Sequence, residues 1–172
     1  MEKSGKICSN FTGVTTTILE TKLPYPVGDY QCKLDGKGRL MFPADFQEQL
    51  GDLSGEGFVL RPGLFRKCIE MYTMKEWQQK QEKLKQLSPF VKVNVDLMRK
   101  YNAGARLVKL DSTGRLLIPK PLIEQSDLDK EVVIIALPEY MEIWDKGAYH
   151  KANMEMDQAT LEQLLQEKFG QQ

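Results

Sequence analysis

Two short constellations in this 172-residue chain carry side chains that could do chemistry: Asp35, Lys37 and Arg39, and then Asp111 and Arg115. A carboxylate beside a guanidinium can be an acid and an electrophile, but it is more simply an ion pair. An arginine freed from such a pair presents a rigid fork of donors that matches a phosphate or the O6/N7 edge of guanine. No third group completes a catalytic set. His150 is the single histidine and lies in a polar stretch without an evident partner, so a surface role suits it better than general base catalysis. Cys8, Cys32 and Cys68 are odd in number and widely spaced, which fits neither a disulfide framework nor a zinc site. Gly36 and Gly38 form a Gly-x-Gly, but no phosphate-cradling loop follows it. The residues therefore point away from an enzyme, with no cofactor, no metal and no small-molecule substrate expected.

The elements that must hold these side chains are written twice. Leu34-Asp35-Gly36-Lys37-Gly38-Arg39-Leu40-Met41-Phe42-Pro43 recurs 76 positions later as Leu110-Asp111-Ser112-Thr113-Gly114-Arg115-Leu116-Leu117-Ile118-Pro119. Each copy reads Leu-Asp-x-x-Gly-Arg-Leu, two apolar residues, proline, which is the mark of a duplicated unit. Tyr30, Cys32 and Leu34 alternate with polar residues as in a half-buried strand. The glycines permit a tight reversal and the proline ends the returning strand. The spacing predicts a hairpin in each copy, with the arginine just after the turn near an exposed tip.

After each hairpin comes a short helix. Ala44–Leu50 turns Phe46 and Leu50 inward and stops at Gly51, and its counterpart runs from Pro119 and Pro121 to Gln125. Strands are expected at Phe58-Val59-Leu60, Ile69–Tyr72, Val132–Ala136 and Met141–Trp144. Thr73-Met74-Lys75-Glu76 is a capping box opening a helix with Trp77, Leu84 and Leu87 on one side. After Ser88-Pro89 a second helix carries Leu97, Met98, Tyr101 and Ala105. Thr160-Leu161-Glu162-Gln163 is expected to open an acidic C-terminal helix with Leu161, Leu164, Leu165 and Phe169 on one face, a stripe suited to packing on this chain or on a neighbouring subunit.

Composition places the chain among globular proteins, with 41% hydrophobic and 28% charged residues. It holds no apolar run of the roughly 20 residues a membrane span needs, and no signal-peptide core, so no membrane partner is expected and a cytoplasmic location is. Net charge is zero, yet its distribution is uneven: −2 over residues 1–60, +8 over 61–109 and −6 over 110–172. Such segregation can raise a local positive field on a neutral molecule.

With these motifs in view, the sequence resembles the MraZ family, bacterial repressors of the cluster of cell-division and cell-wall genes. The resemblance rests on Asp35 to Arg39 followed by Pro43, on Asp111 to Arg115 followed by Pro119, and on Glu70-Met71-Tyr72 with Trp77 and Glu142-Ile143-Trp144-Asp145. It covers about Gly28 to Tyr149. It implies an α+β fold of two tandem AbrB/SpoVT-like swapped-hairpin β-barrel repeats with peripheral helices. It further implies homo-oligomeric rings of about eight or more subunits that read short direct repeats in double-stranded promoter DNA, in association with the nucleoid. Carried onto matching positions, it makes Arg39 and Arg115 the DNA contacts, with Lys37 beside the first, while Asp35 and Asp111 shape the turns. Relatives of this fold often carry basic residues on the short helix after the proline; here Gln47-Glu48 and Ile123-Glu124 stand there.

The expected organisation is a poorly ordered arm over residues 1–27, a first repeat with a helical insertion over 28–104, a second repeat over 105–150, and the C-terminal helix over 151–172. The function so implied is a sequence-specific DNA-binding regulator. The rival from another class is an oligomeric scaffold whose hairpins contact protein.

Overall fold

The computed structural model describes residues 26–170, and nearly all of the expected N-terminal arm, with Cys8, lies outside them. The elements run β1 (Asp29–Lys33), β2 (Arg39–Met41), α1 (Ala44–Leu50), α2 (Leu53–Glu56), β3 (Phe58–Pro62), β4 (Ile69–Thr73), α3 (Met74–Lys85), α4 (Lys92–Asn102), β5 (Arg106–Val108), β6 (Arg115–Leu117), α5 (Lys120–Gln125), β7 (Glu131–Ala136), β8 (Met141–Asp145), α6 (Lys146–Met154) and α7 (Gln158–Phe169). The fold is α+β, and its strand pairing is antiparallel throughout.

The expected hairpins form differently. β1 and β2 touch through a single bridge, Leu34 to Leu40, and β5 and β6 through Leu110 to Leu116. Their long-range pairing crosses between the copies: β1 pairs with β7, β5 with β3, and β2 with β6. The result is a six-stranded sheet in the order β1-β7-β8-β4-β3-β5 and a separate ribbon of β2 and β6. That order is palindromic under exchange of the repeats, so an approximate two-fold passes between β4 and β8. No closed barrel is found among the described residues, because β1 and β5 are the free edges of the sheet. The physical reason is burial. β3 is buried over Phe58–Arg61 and β7 over Val132–Ile134, so each needs a strand on both sides, and the first strand of the other copy supplies the second partner, β5 for β3 and β1 for β7.

The core lies between ribbon and sheet. Leu40, Phe42 and Phe46 from the first copy meet Leu116, Ile118 and Leu122, each 76 positions on, and all six are at most 2% exposed. They pack against Phe58, Leu60, Ile69, Met71, Val132, Ile134, Met141 and Ile143 from the sheet. α1 and α5 therefore hold the ribbon by a single buried apolar layer. Gly51 ends α1 with its N–H on the Gln47 carbonyl, as the sequence predicts.

The opposite side of the sheet is aromatic and charged. Arg61 is 2% exposed, its Cζ sits 4.2 Å from the Tyr101 ring centroid, and its Nη1 lies 3.7 Å from Glu70. Glu70 also accepts from the Tyr72 hydroxyl at 2.8 Å and from the Leu64 amide at 3.0 Å. Glu70 faces Glu142 across β4 and β8, and burial raises the Glu142 carboxyl above the usual range. Trp77 and Tyr101 stack at 5.9 Å and lock α3 to α4 over this layer.

Local signals hold with small shifts. Thr73 caps α3 by accepting from the Glu76 amide at 3.2 Å. Leu87 and Ala105 fall just beyond α3 and α4. α7 begins earlier than expected: its cap is Asp157, which accepts from the Thr160 amide at 2.7 Å, so a carboxylate three residues ahead starts the helix and Thr160 falls inside its first turn. The α7 stripe does not pack on this chain's core, and Phe169 is 74% exposed. None of the helices described is long and apolar enough to cross a membrane.

Candidate nucleic-acid interface

Each arginine is placed by its own aspartate. In the first loop the Gly38 amide donates to the Asp35 carbonyl at 3.0 Å and the Asp35 amide to the Arg39 carbonyl at 2.8 Å. The second loop repeats both bonds at the same lengths, from Gly114 to Asp111 and from Asp111 to Arg115. Gly38 and Gly114 have φ of 79° and 76°, the left-handed region that closes such a three-residue connection. A Cβ on Gly38 would also stand 3.0 Å from the Ile118 carbonyl oxygen, so backbone angle and space both demand glycine there.

The aspartate side chains fill the turns. Asp35 Oδ1 accepts from the Lys37 and Arg39 amides, both at 2.9 Å, and Oδ2 accepts Arg39 Nε at 2.8 Å. Asp111 Oδ1 accepts from the Thr113 amide and hydroxyl at 2.9 and 2.7 Å and from the Arg115 amide at 3.0 Å, while Oδ2 takes Arg115 Nε at 2.9 Å. The local ion pair between aspartate and arginine therefore forms at both loops. It does not exhaust the arginine, which has five N–H donors. The pair with Asp35 uses Nε and Nη2 of Arg39. It holds the fork in one orientation, so less side-chain freedom is lost when an acceptor arrives.

These bonds move the carboxyls. The Arg39 amide and guanidinium hold Asp35 at about 2, and the Thr113 hydroxyl, then the Arg115 amide, hold Asp111 well below the usual range. A carboxyl depressed on folding stabilises above its unfolded value near 3.9 and loses that contribution as pH falls toward the folded value. Thermal melts of Asp35→Asn should therefore show a flatter stability curve between about pH 4 and pH 2 than the parent chain. Parallel curves over that window would contradict the assignment.

The ribbon then joins the loops. Arg39 pairs with Leu117, Leu40 with Leu116, and Met41 with Arg115. Alternation buries Leu40 and Leu116 and turns Arg39, Met41, Arg115 and Leu117 to the other face, where Met41 and Leu117 are 56% and 54% exposed. Arg39 and Arg115 are diagonal neighbours, about 7–8 Å apart at Cα. Each loop is also tied to the other copy: the Phe42 amide donates to the Gly114 carbonyl at 3.0 Å and the Ile118 amide to the Gly38 carbonyl at 2.8 Å. The arginine side chains are 31% and 36% exposed, so they lie along the ribbon rather than at free tips. Lys37 is exposed in the first loop, and no salt bridge engages it among the described residues. His150 is exposed on α6, and no group of three or more metal-ligating side chains occurs among the described residues. What the sequence could not show is that the two arginines share one face, since that depends on register between strands 76 residues apart.

These features define a duplicated α+β protein whose repeats exchange strands and jointly present two aspartate-held arginines on one ribbon. A family model described as "MraZ protein, putative antitoxin-like" matches residues 27–99 and again 102–171, one match per copy. A transcriptional regulator MraZ from Flavobacterium psychrophilum is 46% identical over 126 residues, covering 73% of this chain and 80% of that protein. Another, from Christiangramia forsetii, is 40% identical over 73% of this chain and 81% of its own length. A third, from Desulforamulus reducens, is 36% identical over 81% of this chain and 94% of its own. The chain belongs to the MraZ family.

Proposed function

We propose that the protein is a sequence-specific DNA-binding transcriptional regulator that represses the promoter of a bacterial division and cell-wall gene cluster by binding short direct repeats. The observation that carries this is the shared face of Arg39 and Arg115 on β2 and β6. A two-stranded ribbon fits the major groove, and pre-oriented guanidinium forks suit guanine edges or phosphates there. The names of the relatives, transcriptional regulators, support the same function. The protein then works in the cytoplasm on nucleoid DNA. The test is a salt titration of its affinity for the DNA upstream of its own gene. Log affinity should fall steeply with log salt, by about 0.9 per phosphate neutralised, and a flat dependence would favour the scaffold.

One copy presents few cations, so affinity requires several copies acting together. Exposed apolar residues support a homo-oligomeric ring of about eight or more subunits. Phe90, Val93 and Leu97, on and just ahead of α4, are 97%, 69% and 50% exposed, and Leu161, Leu165 and Phe169 on α7 are 39%, 47% and 74% exposed. The first stripe is flanked by Lys92 and Arg99, both paired with Asp96, and by Lys100, the second by Asp157, Glu162 and Glu167, so head-to-tail contact between copies would match apolar surface, with Lys100 as the cation left to meet the acidic border. Leu97→Glu and Leu165→Glu should each reduce the particle to small species in sedimentation with little change in thermal midpoint. An unchanged particle in both variants would remove these helices from the assembly.

A further inference from the structure

Beside the first loop lies a cleft of about 480 Å³ that the two arginines do not occupy. Leu34, Ile118, Ile123 and Leu128 line it, and Lys37, Lys120 and Lys130 contribute three cations to its wall. Lys37 comes from the first copy, whereas Lys120 opens α5 and Lys130 precedes β7 in the second. Asp35 and Asp129 also line the cleft, but Asp35 is already held by Arg39. Lys120 has only a long contact with Glu124, 3.7 Å, and is 85% exposed. No salt bridge engages Lys130 among the described residues.

The second loop has different surroundings. The residues 76 positions from Lys37, Lys120 and Ile123 are Thr113, Ala44 and Gln47. The Thr113 hydroxyl is turned back onto Asp111 at 2.7 Å. Gln47 Nε2 donates to the Phe42 carbonyl at 3.1 Å and stands 3.1 Å from where a Gly114 Cβ would lie, so a neutral amide closes on that loop. The backbone of the two loops is the same, but the charge beside them is not.

We propose that the two loops are unequal on DNA. Lys37, Lys120 and Lys130 form a phosphodiester anchor built from both copies beside the first loop, and the second loop contacts DNA through Arg115 without such an anchor. The inference rests on the DNA-binding reading of the ribbon and deepens it. It also locates basic residues that the sequence pattern placed nowhere near the first loop, since Lys120 and Lys130 follow it by more than 80 residues. Phosphate contacts fix position and orientation but carry no sequence information. The anchor would thus set affinity and register while the arginines discriminate bases.

The experiment compares the full chain with Lys120→Gln/Lys130→Gln, with Lys151→Gln/Lys168→Gln as a charge-matched control, and with Arg39→Ala. Thermal melts confirm that each is folded, and binding to operator and to random duplex is measured across salt. In the cleft variant, affinity for both duplexes should fall in parallel, and the salt slope should shrink by about 2 per engaged first loop. The control should keep the parent slope. A cleft variant with the parent slope, while Arg39→Ala has lost the operator, overturns the anchor and leaves the DNA-binding reading standing. Parent-like binding by both variants overturns that reading itself. Calorimetry with inorganic phosphate supplies the last arm: saturation at the cleft with no change in DNA slope assigns it to a small anion and overturns the anchor.

Discussion

Replacing Arg39 with alanine is expected to abolish specific promoter binding while leaving the assembly intact. The side chain is 31% exposed, and the ion pair it loses is a surface one of little worth to the fold. The turn survives, because Asp35 still accepts the Lys37 and Arg39 amides at 2.9 Å. What disappears is the oriented fork. One bidentate contact discriminates by about 1–3 kcal/mol, and losses multiply when several copies engage one operator, so two or more loops together cost about thirtyfold or more. Arg39→Lys should fall between, since it keeps the charge but not the planar fork. Mobility shift with operator and random DNA, beside sedimentation of each variant, reads both halves of the expectation. Operator affinity equal to the parent's would remove Arg39 from the interface, and a collapsed particle would transfer it to assembly.

The largest expected loss of stability comes from Phe42→Ala. Phe42 is 1% exposed, and its ring lies 5.2 Å from Phe58 and 6.1 Å from Phe46, joining ribbon, sheet and α1. Removing a buried phenyl costs about 3–5 kcal/mol from transfer and cavity together. At roughly 2–4 °C per kcal/mol for a chain of this size, the melting midpoint should drop by roughly 6–20 °C. The same residue's amide holds the Gly114 carbonyl at 3.0 Å, so the damage should reach the second loop, and operator affinity should weaken in the folded fraction. Phe65→Ala is the matched comparison, since that ring is 92% exposed and its loss should move the midpoint hardly at all. A Phe42→Ala midpoint within about 2 °C of the parent would mean that the core relaxes around the gap.

The two predictions separate because the ribbon has two faces. Period-two alternation puts Leu40 and Leu116 into the core and Arg39 and Arg115 on the far side. The inward face can therefore be rewritten only at the expense of the fold, whereas under the proposed function the outward face is rewritten at the expense of DNA recognition.

The chain alone determined most local structure: both Asp-x-x-Gly-Arg loops, the inward Phe46 and Leu50, the Thr73 cap, the strands Ile69–Tyr72 and Met141–Trp144, and the duplication itself. Those features depend on turn chemistry and periodicity within about ten residues, which a sequence carries explicitly. Tertiary structure decided the partners. Nothing near Tyr30 or Leu107 says that β1 will pair with β7 and β5 with β3, because strand pairing is settled by which buried strand lacks a neighbour. That exchange brings Arg115 onto the face of Arg39, and it carries Lys120 and Lys130 to the side of Lys37. The sequence held each charge, and the pairing between copies decided which charges stand together.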